Sequence, residues 1–157
     1  MFVALATILS NIKIFEMPQG GSVTLGSMVP ILWLALRRGP AVGIFAATVY
    51  GVVQFALGPY IVHPAQVILD YPLAFGLLGI AGFFQKRPFV GVTLASLGRF
   101  GAHFVSGILF WSIYAPPGMS PVVYSAVYNG GYMLVEFVIS VYVIYLLRAS
   151  NVLDIYL

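Results

Sequence analysis

Five polar side chains stand inside stretches that are otherwise apolar: Asp70, Arg99, His103, Asn129 and Glu136. An ionised group at the centre of a bilayer costs about 3 kcal/mol or more unless it is paired or wetted, so each needs a physical reason to be there. Arg99 and His103 are spaced i, i+4 and share one helix face, which Ser96 and Gly107 extend and Trp111 continues. Arg99 and Glu136 both fall near the expected midplane, and the rule that buried charges pair predicts an ion pair between them. Asp70 has no cation at its own depth except Arg99, which makes a bound ligand a candidate partner. Asp70, His103 and Asn129 reach similar depth. With aromatic rings around them, they describe a site for a cationic, partly aromatic solute, whose charge the carboxylate balances and whose rings and cation the aromatic faces attract.

Plainer readings exist for the same residues. A single intramembrane histidine serves equally well as a donor between helices. Tyr60, Trp111, Tyr114 and Tyr124 sit at span ends, where an interfacial aromatic belt accounts for them without a ligand. On a regular helix Tyr124 and Asn129 lie about 140° apart, with Tyr128 and Tyr132 on a stripe adjoining Tyr124. A ligand touching both Tyr124 and Asn129 is therefore expected to meet this helix at a kinked or frayed start.

The elements that must position these groups follow from composition. Of 157 residues, 61% are hydrophobic and 7% charged, against roughly a quarter charged in an ordinary soluble domain. The expectation is an all-α integral membrane protein of six transmembrane helices, forming a single membrane-embedded domain over 1–157. Spans are predicted at 1–15, 25–36, 40–57, 65–84, 89–112 and 122–147. The short first span, beginning at Met1, suggests a truncated start. Gly76-x2-Gly79-x2-Gly82 and the pair Gly43 and Gly51 mark close helix contacts. With no cysteine, disulfides, thiolate metal sites and cysteine nucleophiles are excluded. No metal-ligand spacing, catalytic triad or phosphate-cradling loop is recognisable, and no basic run suggests nucleic acid.

Arg37 and Arg38, Lys86 and Arg87, and Arg148 all fall on one side of a six-span chain. The positive-inside rule makes that side the cytoplasm, which predicts a multi-pass protein of the cell membrane with both termini inside. Segments 16–24, 58–64 and 113–121 then face outward. Lys13, near the outer face, is expected to snorkel on its long stem.

Eight strings spread through the chain carry a resemblance. They are Met17-Pro-Gln-Gly-Gly-Ser-Val-Thr24, Leu36-Arg-Arg-Gly39, Tyr50-Gly-Val-Val-Gln-Phe55, His63-Pro-Ala-Gln66, Leu69-Asp-Tyr-Pro-Leu-Ala-Phe75, Arg99-Phe-Gly-Ala-His103, Gly107-Ile-Leu-Phe-Trp111 and Tyr124-Ser-Ala-Val-Tyr-Asn129. In this order they resemble the thiamine-specific substrate-binding (S) components of energy-coupling-factor transporters, the ThiT/YuaJ family. The resemblance implies that Asp70 contacts the aminopyrimidine of thiamine and that Tyr71 faces the ligand. It implies that His103 and Trp111 hydrogen-bond and stack, that Tyr124 and Asn129 contact the ligand from the last helix, that Tyr60 is a further pocket tyrosine, and that Arg99 takes a position held by a basic residue. It also implies that the loop between the first two helices is a lid with hinge freedom at Gly20 and Gly21.

Two departures stand out. A further tryptophan found in the family after the position of Trp111 is replaced here by Pro116 and Pro117, leaving Tyr114 or Trp33 as substitutes near the thiazolium cation. Of the family's Ala-x-x-x-Ala docking patch on helix 1, only Ala4 and Ala6 are candidates.

The expected function is capture of thiamine in an outward-facing pocket for uptake driven by a separate module. By resemblance, the partners are a transmembrane coupling subunit and two ATPase subunits. Thiamine is the transported ligand, no cofactor is expected, and the chain is not expected to be an enzyme. The alternatives are a stand-alone proton-coupled carrier relaying through Asp70, Arg99 and Glu136, an S component for a thiamine precursor or another vitamin such as riboflavin, and a small intramembrane enzyme using Asp70 and His103 as acid and base.

Overall fold

The computed structural model describes residues 1–150 and consists of six helices in sequence, with a small hairpin between the first two. They are α1 (Phe2–Ser10), α2 (Val29–Arg38), α3 (Pro40–Leu57), α4 (Pro64–Phe84), α5 (Pro88–Tyr114) and α6 (Pro121–Ala149). Proline occupies the first turn of each helix from α2 to α6, where its missing N–H leaves no hydrogen bond unmade. Helices α3 to α6 are long and apolar enough to cross a bilayer. Their outer faces carry large apolar side chains such as Phe45, Phe83, Leu97 and Leu134, which suit contact with lipid tails.

The first span is shorter than expected. It ends at Ser10 because Ser10 Oγ and Asn11 Nδ2 both turn back to the Thr7 carbonyl, at 2.7 and 2.8 Å, and compete with further helical bonds. Residues 13–16 are instead strand β1 (Lys13–Glu16), paired antiparallel with β2 (Ser22–Thr24) and bulged between Lys13 and Phe15. Lys13 therefore does not snorkel from a helix; its ammonium pairs with Glu16 on the same strand at 2.6 Å.

Helix α2 forms the centre of the core, with Ile31, Leu32 and Ala35 fully buried among Ala47, Tyr50, Leu78, Ala81, Val92 and Ala95. Close packing of α3 against α4 explains a change of helix type. From Leu77 to Phe84, α4 winds as a 3₁₀ helix, in which residues three apart eclipse one another and glycines at 76, 79 and 82 form one straight line. A Cβ on Gly76 would meet Thr48, one on Gly79 would meet Ile44 and Gly43, and one on Gly82 would meet Gly39 and Pro40. Three residues of 3₁₀ helix and four of α-helix each advance about 6 Å. The glycine line therefore stays in register with positions 48, 44 and 40 of α3. The expected close helix contacts at these glycines and at Gly43 and Gly51 are all present.

Substituting Gly79 by Ala is expected to lower the thermal midpoint of the detergent-solubilised protein, since backbone rather than a flexible side chain opposes the new methyl, at about 1–3 kcal/mol. Gly101→Ala, with open space beside it, should leave the midpoint unchanged or raise it slightly.

Candidate functional site

Two helices depart from α geometry where they carry functional groups. Leu69–Leu73 of α4 and Gly107–Trp111 of α5 are π-helical turns. The first contains Pro72, which has no N–H to donate and so favours a break in the regular ladder. Such wide turns re-aim the side chains they carry. Here one presents Asp70 and Tyr71, the other Trp111, to a common cavity of about 300 Å³.

The Asp70 carboxylate has three side-chain partners at the wall of that cavity. Its Oδ1 lies 3.0 Å from His103 Nδ1, and its Oδ2 accepts from Trp111 Nε1 at 3.0 Å and from Gln66 Nε2 at 2.8 Å. Helices α4 and α5 are thus joined through one carboxylate, whose cation-capable neighbour is His103. Gln66 is fully buried, its Oε1 accepting from Val62 N and its Nε2 also reaching the Tyr60 carbonyl. Sequence reasoning passed over Gln66; its signal was the i, i+4 spacing to Asp70 inside an apolar helix. Tyr71 reaches back to the preceding loop, its hydroxyl accepting from Tyr60 N at 2.9 Å and donating to the Gly58 carbonyl at 3.1 Å.

The last helix contributes a broad face. Tyr124, Tyr128, Tyr132 and Glu136 recur every four residues, each step turning about 40° around the axis and ending beside Asn129. All five residues line the cavity. The expected kink is therefore absent: α6 runs unbroken from Pro121 to Ala149, and Tyr128 and Tyr132 fill the arc between Tyr124 and Asn129. Tyr124 stacks on Tyr128 at 5.8 Å, and Tyr128 meets Tyr132 edge-on at 6.0 Å. Asn129 Nδ2 donates to the His103 carbonyl and to Ser125, while Tyr132 donates to its Oδ1.

All eight residues singled out from sequence, Tyr60, Asp70, Tyr71, Arg99, His103, Trp111, Tyr124 and Asn129, line this one cavity. The expected Arg99–Glu136 ion pair does not form. Glu136 Oε1 accepts instead from the backbone N–H and the hydroxyl of Thr24, and Arg99 donates to Met28 Sδ with its guanidinium 4.2 Å above the Phe75 ring. The chain entering α2 brings neutral donors to Glu136 that no pairing rule for charges anticipates. Trp33 is not a cavity residue: it packs edge-on against Phe2 and lines a separate apolar groove beside α1 and α6. Tyr114 packs on Trp111 at 5.9 Å, outside the cavity lining.

Lys13, Glu16, Gln19, Gly20, Gly21, Ser22 and Thr24 of the hairpin also line the cavity. At the hairpin tip Gln19 and Gly20 adopt positive φ, +64° and +89°. The positive φ of Gly20 favours glycine there, and a Cβ at that position would also have to displace the Tyr60 ring. The Tyr128 hydroxyl accepts from Gly21 N at 3.0 Å and donates to the Pro18 carbonyl. Tyr128 and Glu136 thus hold the two ends of the segment against α6.

The family model described as Thiamine transporter protein (Thia_YuaJ) matches residues 1–154. The thiamine transporter ThiT of Bacillus subtilis (strain 168) is 35% identical over 166 aligned residues, covering 94% of this chain and 86% of that protein. ThiT of Lacticaseibacillus paracasei is 34% identical over 137 residues, covering 74% of this chain and 68% of its own. A solved structure of ThiT from Listeria monocytogenes superposes with a TM-score of 0.87 at 30% identity, covering 97% of this chain and 92% of the other.

Removing the Tyr128 hydroxyl tests the attachment of the hairpin. In Tyr128→Phe the Gly21 amide loses its acceptor, and hydrogen exchange at Gly21 is expected to quicken by about tenfold, the equivalent of one ordinary hydrogen bond. Exchange in α3 should stay unchanged.

Proposed function

This chain belongs to the Thia_YuaJ thiamine transporter family, and on that premise we propose that it captures thiamine in an outward-facing cavity as the substrate-binding subunit of an energy-coupling-factor transporter. The observation that carries the reading is the Asp70 carboxylate, held by His103, Trp111 and Gln66 at the wall of a cavity of about 300 Å³ that tyrosines surround. That volume lies at the small end of the range for small-molecule sites. Thiamine carries a permanent thiazolium charge and an aminopyrimidine ring. Asp70 supplies an acceptor and a balancing negative charge, and Tyr60, Trp111, Tyr124 and Tyr128 offer faces to the rings and the cation.

In this reading Asp70, His103 and Asn129 replace the solute's hydration, and the hairpin closes over it. The existing bonds to Asp70 matter for affinity, because a carboxylate already oriented by its neighbours loses little freedom when a ligand arrives. In this reading the energy for uptake comes from partner subunits, a transmembrane coupling protein and two ATPases. A proton-coupled carrier relaying through Asp70, Arg99 and Glu136 has weaker support, since Asp70 bonds His103, Trp111 and Gln66, Arg99 bonds Met28 and Glu136 bonds Thr24 rather than one another.

Calorimetric titration of the purified protein with thiamine is expected to give saturable one-to-one binding. Asp70→Asn should weaken it by about 10- to 100-fold, the range for a hydrogen bond to a charged group. Absence of heat with folded protein would overturn thiamine as the ligand. Orientation has its own check in this cysteine-free chain. A cysteine placed at Lys86 should resist an impermeant maleimide in intact cells and label only after lysis; labelling from outside would invert the topology.

A further inference from the structure

Beneath the Asp70 and Asn129 level the cavity continues to a second polar region lined by Thr24, Ser27, Tyr50, Arg99 and Glu136. From Asn129 to Glu136 the helix advances roughly 10 Å, so this region lies well inward of Asp70. Glu136 is 2% exposed, and although its Oε1 accepts twice from Thr24, its Oε2 is buried without a partner. Arg99 is buried too, its Nε likewise unpartnered and its bonded nitrogen directed to a thioether, a weak acceptor. Buried polar atoms are almost always satisfied, and charged ones left unsatisfied are especially costly. A carboxylate and a guanidinium that line one cavity without touching leave open both an acceptor and a donor. A hydroxyl group satisfies both at once, donating to Glu136 and accepting from Arg99.

We propose that Glu136 and Arg99 form a subsite for the hydroxyl group of the bound solute, and that Glu136 determines selection for the alcohol side chain. The inference rests on thiamine being that solute. Its aminopyrimidine and its primary alcohol lie at opposite ends of the molecule, separated by a length comparable with the distance from the Asp70 level to Glu136. Glu136 therefore does two things through two oxygens: Oε1 holds the hairpin through Thr24, and Oε2 takes the ligand's proton donor.

The two roles separate in a binding experiment with thiamine and an analogue in which a methyl group replaces the hydroxyethyl side chain. Each is titrated calorimetrically into the wild-type protein, Glu136→Gln and Thr24→Val. The wild type is expected to prefer thiamine by about tenfold or more, as for loss of a partner from a buried charged group. Glutamine keeps an oxygen for Thr24 but turns the second position into a donor, so Glu136→Gln should weaken thiamine more than the analogue and reduce the preference to about threefold or less. Thr24→Val should weaken both ligands by the same factor and keep the preference. A wild type that binds both compounds equally, or a Glu136→Gln protein that loses both equally, overturns the subsite. A wild type that binds neither overturns the assignment of thiamine instead.

Discussion

A carboxylate inside a bilayer has to be met by donors, and the bonding of Asp70 organises the protein around that requirement. Hydrocarbon offers no replacement for lost water, so the donors must come from the protein. Gln66 supplies one from the same helix; His103 and Trp111 supply two from the neighbouring helix. Each of these donors is then constrained in turn. Gln66 fixes the 60–62 backbone, the His103 carbonyl accepts from Asn129, and Asn129 accepts from Tyr132. The chain of bonds runs through α4, α5 and α6, so placing one charge aligns three helices.

The irregular turns are the backbone's part of the same arrangement. A regular α-helix repeats its side-chain directions every 3.6 residues and has little freedom to bring one more group to a given face. The π turns at Leu69–Leu73 and Gly107–Trp111 break that repeat beside the cavity. Beyond the cavity, α4 tightens to 3₁₀ geometry and its glycines pack closely on α3. The same helix is therefore wide where it lines the cavity and narrow where it packs. Association of helices in lipid depends on such close approach, because burial of apolar surface gives no advantage over contact with lipid tails.

The hairpin between α1 and α2 completes the enclosure, with Val23 buried against Tyr132 and Met133 of α6 and hydrogen bonds on either side of that contact. Tyr128 and Glu136 grip it by a few hydrogen bonds near its tip and its exit. Hydrogen bonds of this kind are individually worth about 1 kcal/mol between neutral groups and about 1.5–3 kcal/mol where, as at Glu136, the acceptor is a carboxylate.

Much of this was legible in the residues themselves. Composition required a membrane protein, proline and charge placed the helix boundaries to within a few residues, and the cost of polar groups in lipid picked out Asp70, His103 and Asn129 as a set. The period-three glycines announced a close helix contact. The sequence did not disclose that the first span stops at Ser10, because local side-chain competition for the Thr7 carbonyl outweighs apolar continuity. It also pointed to an Arg99–Glu136 pair, since pairing rules count charges and cannot see a backbone N–H arriving from Thr24, far away along the chain. Gln66 and the continuous tyrosine face of α6 became recognisable as site elements only when three helices were assembled around them. Sequence by itself determined which groups could not be left alone in a membrane; tertiary structure decided which partners satisfied them, because hydrogen-bond geometry depends on distances that chain order does not contain.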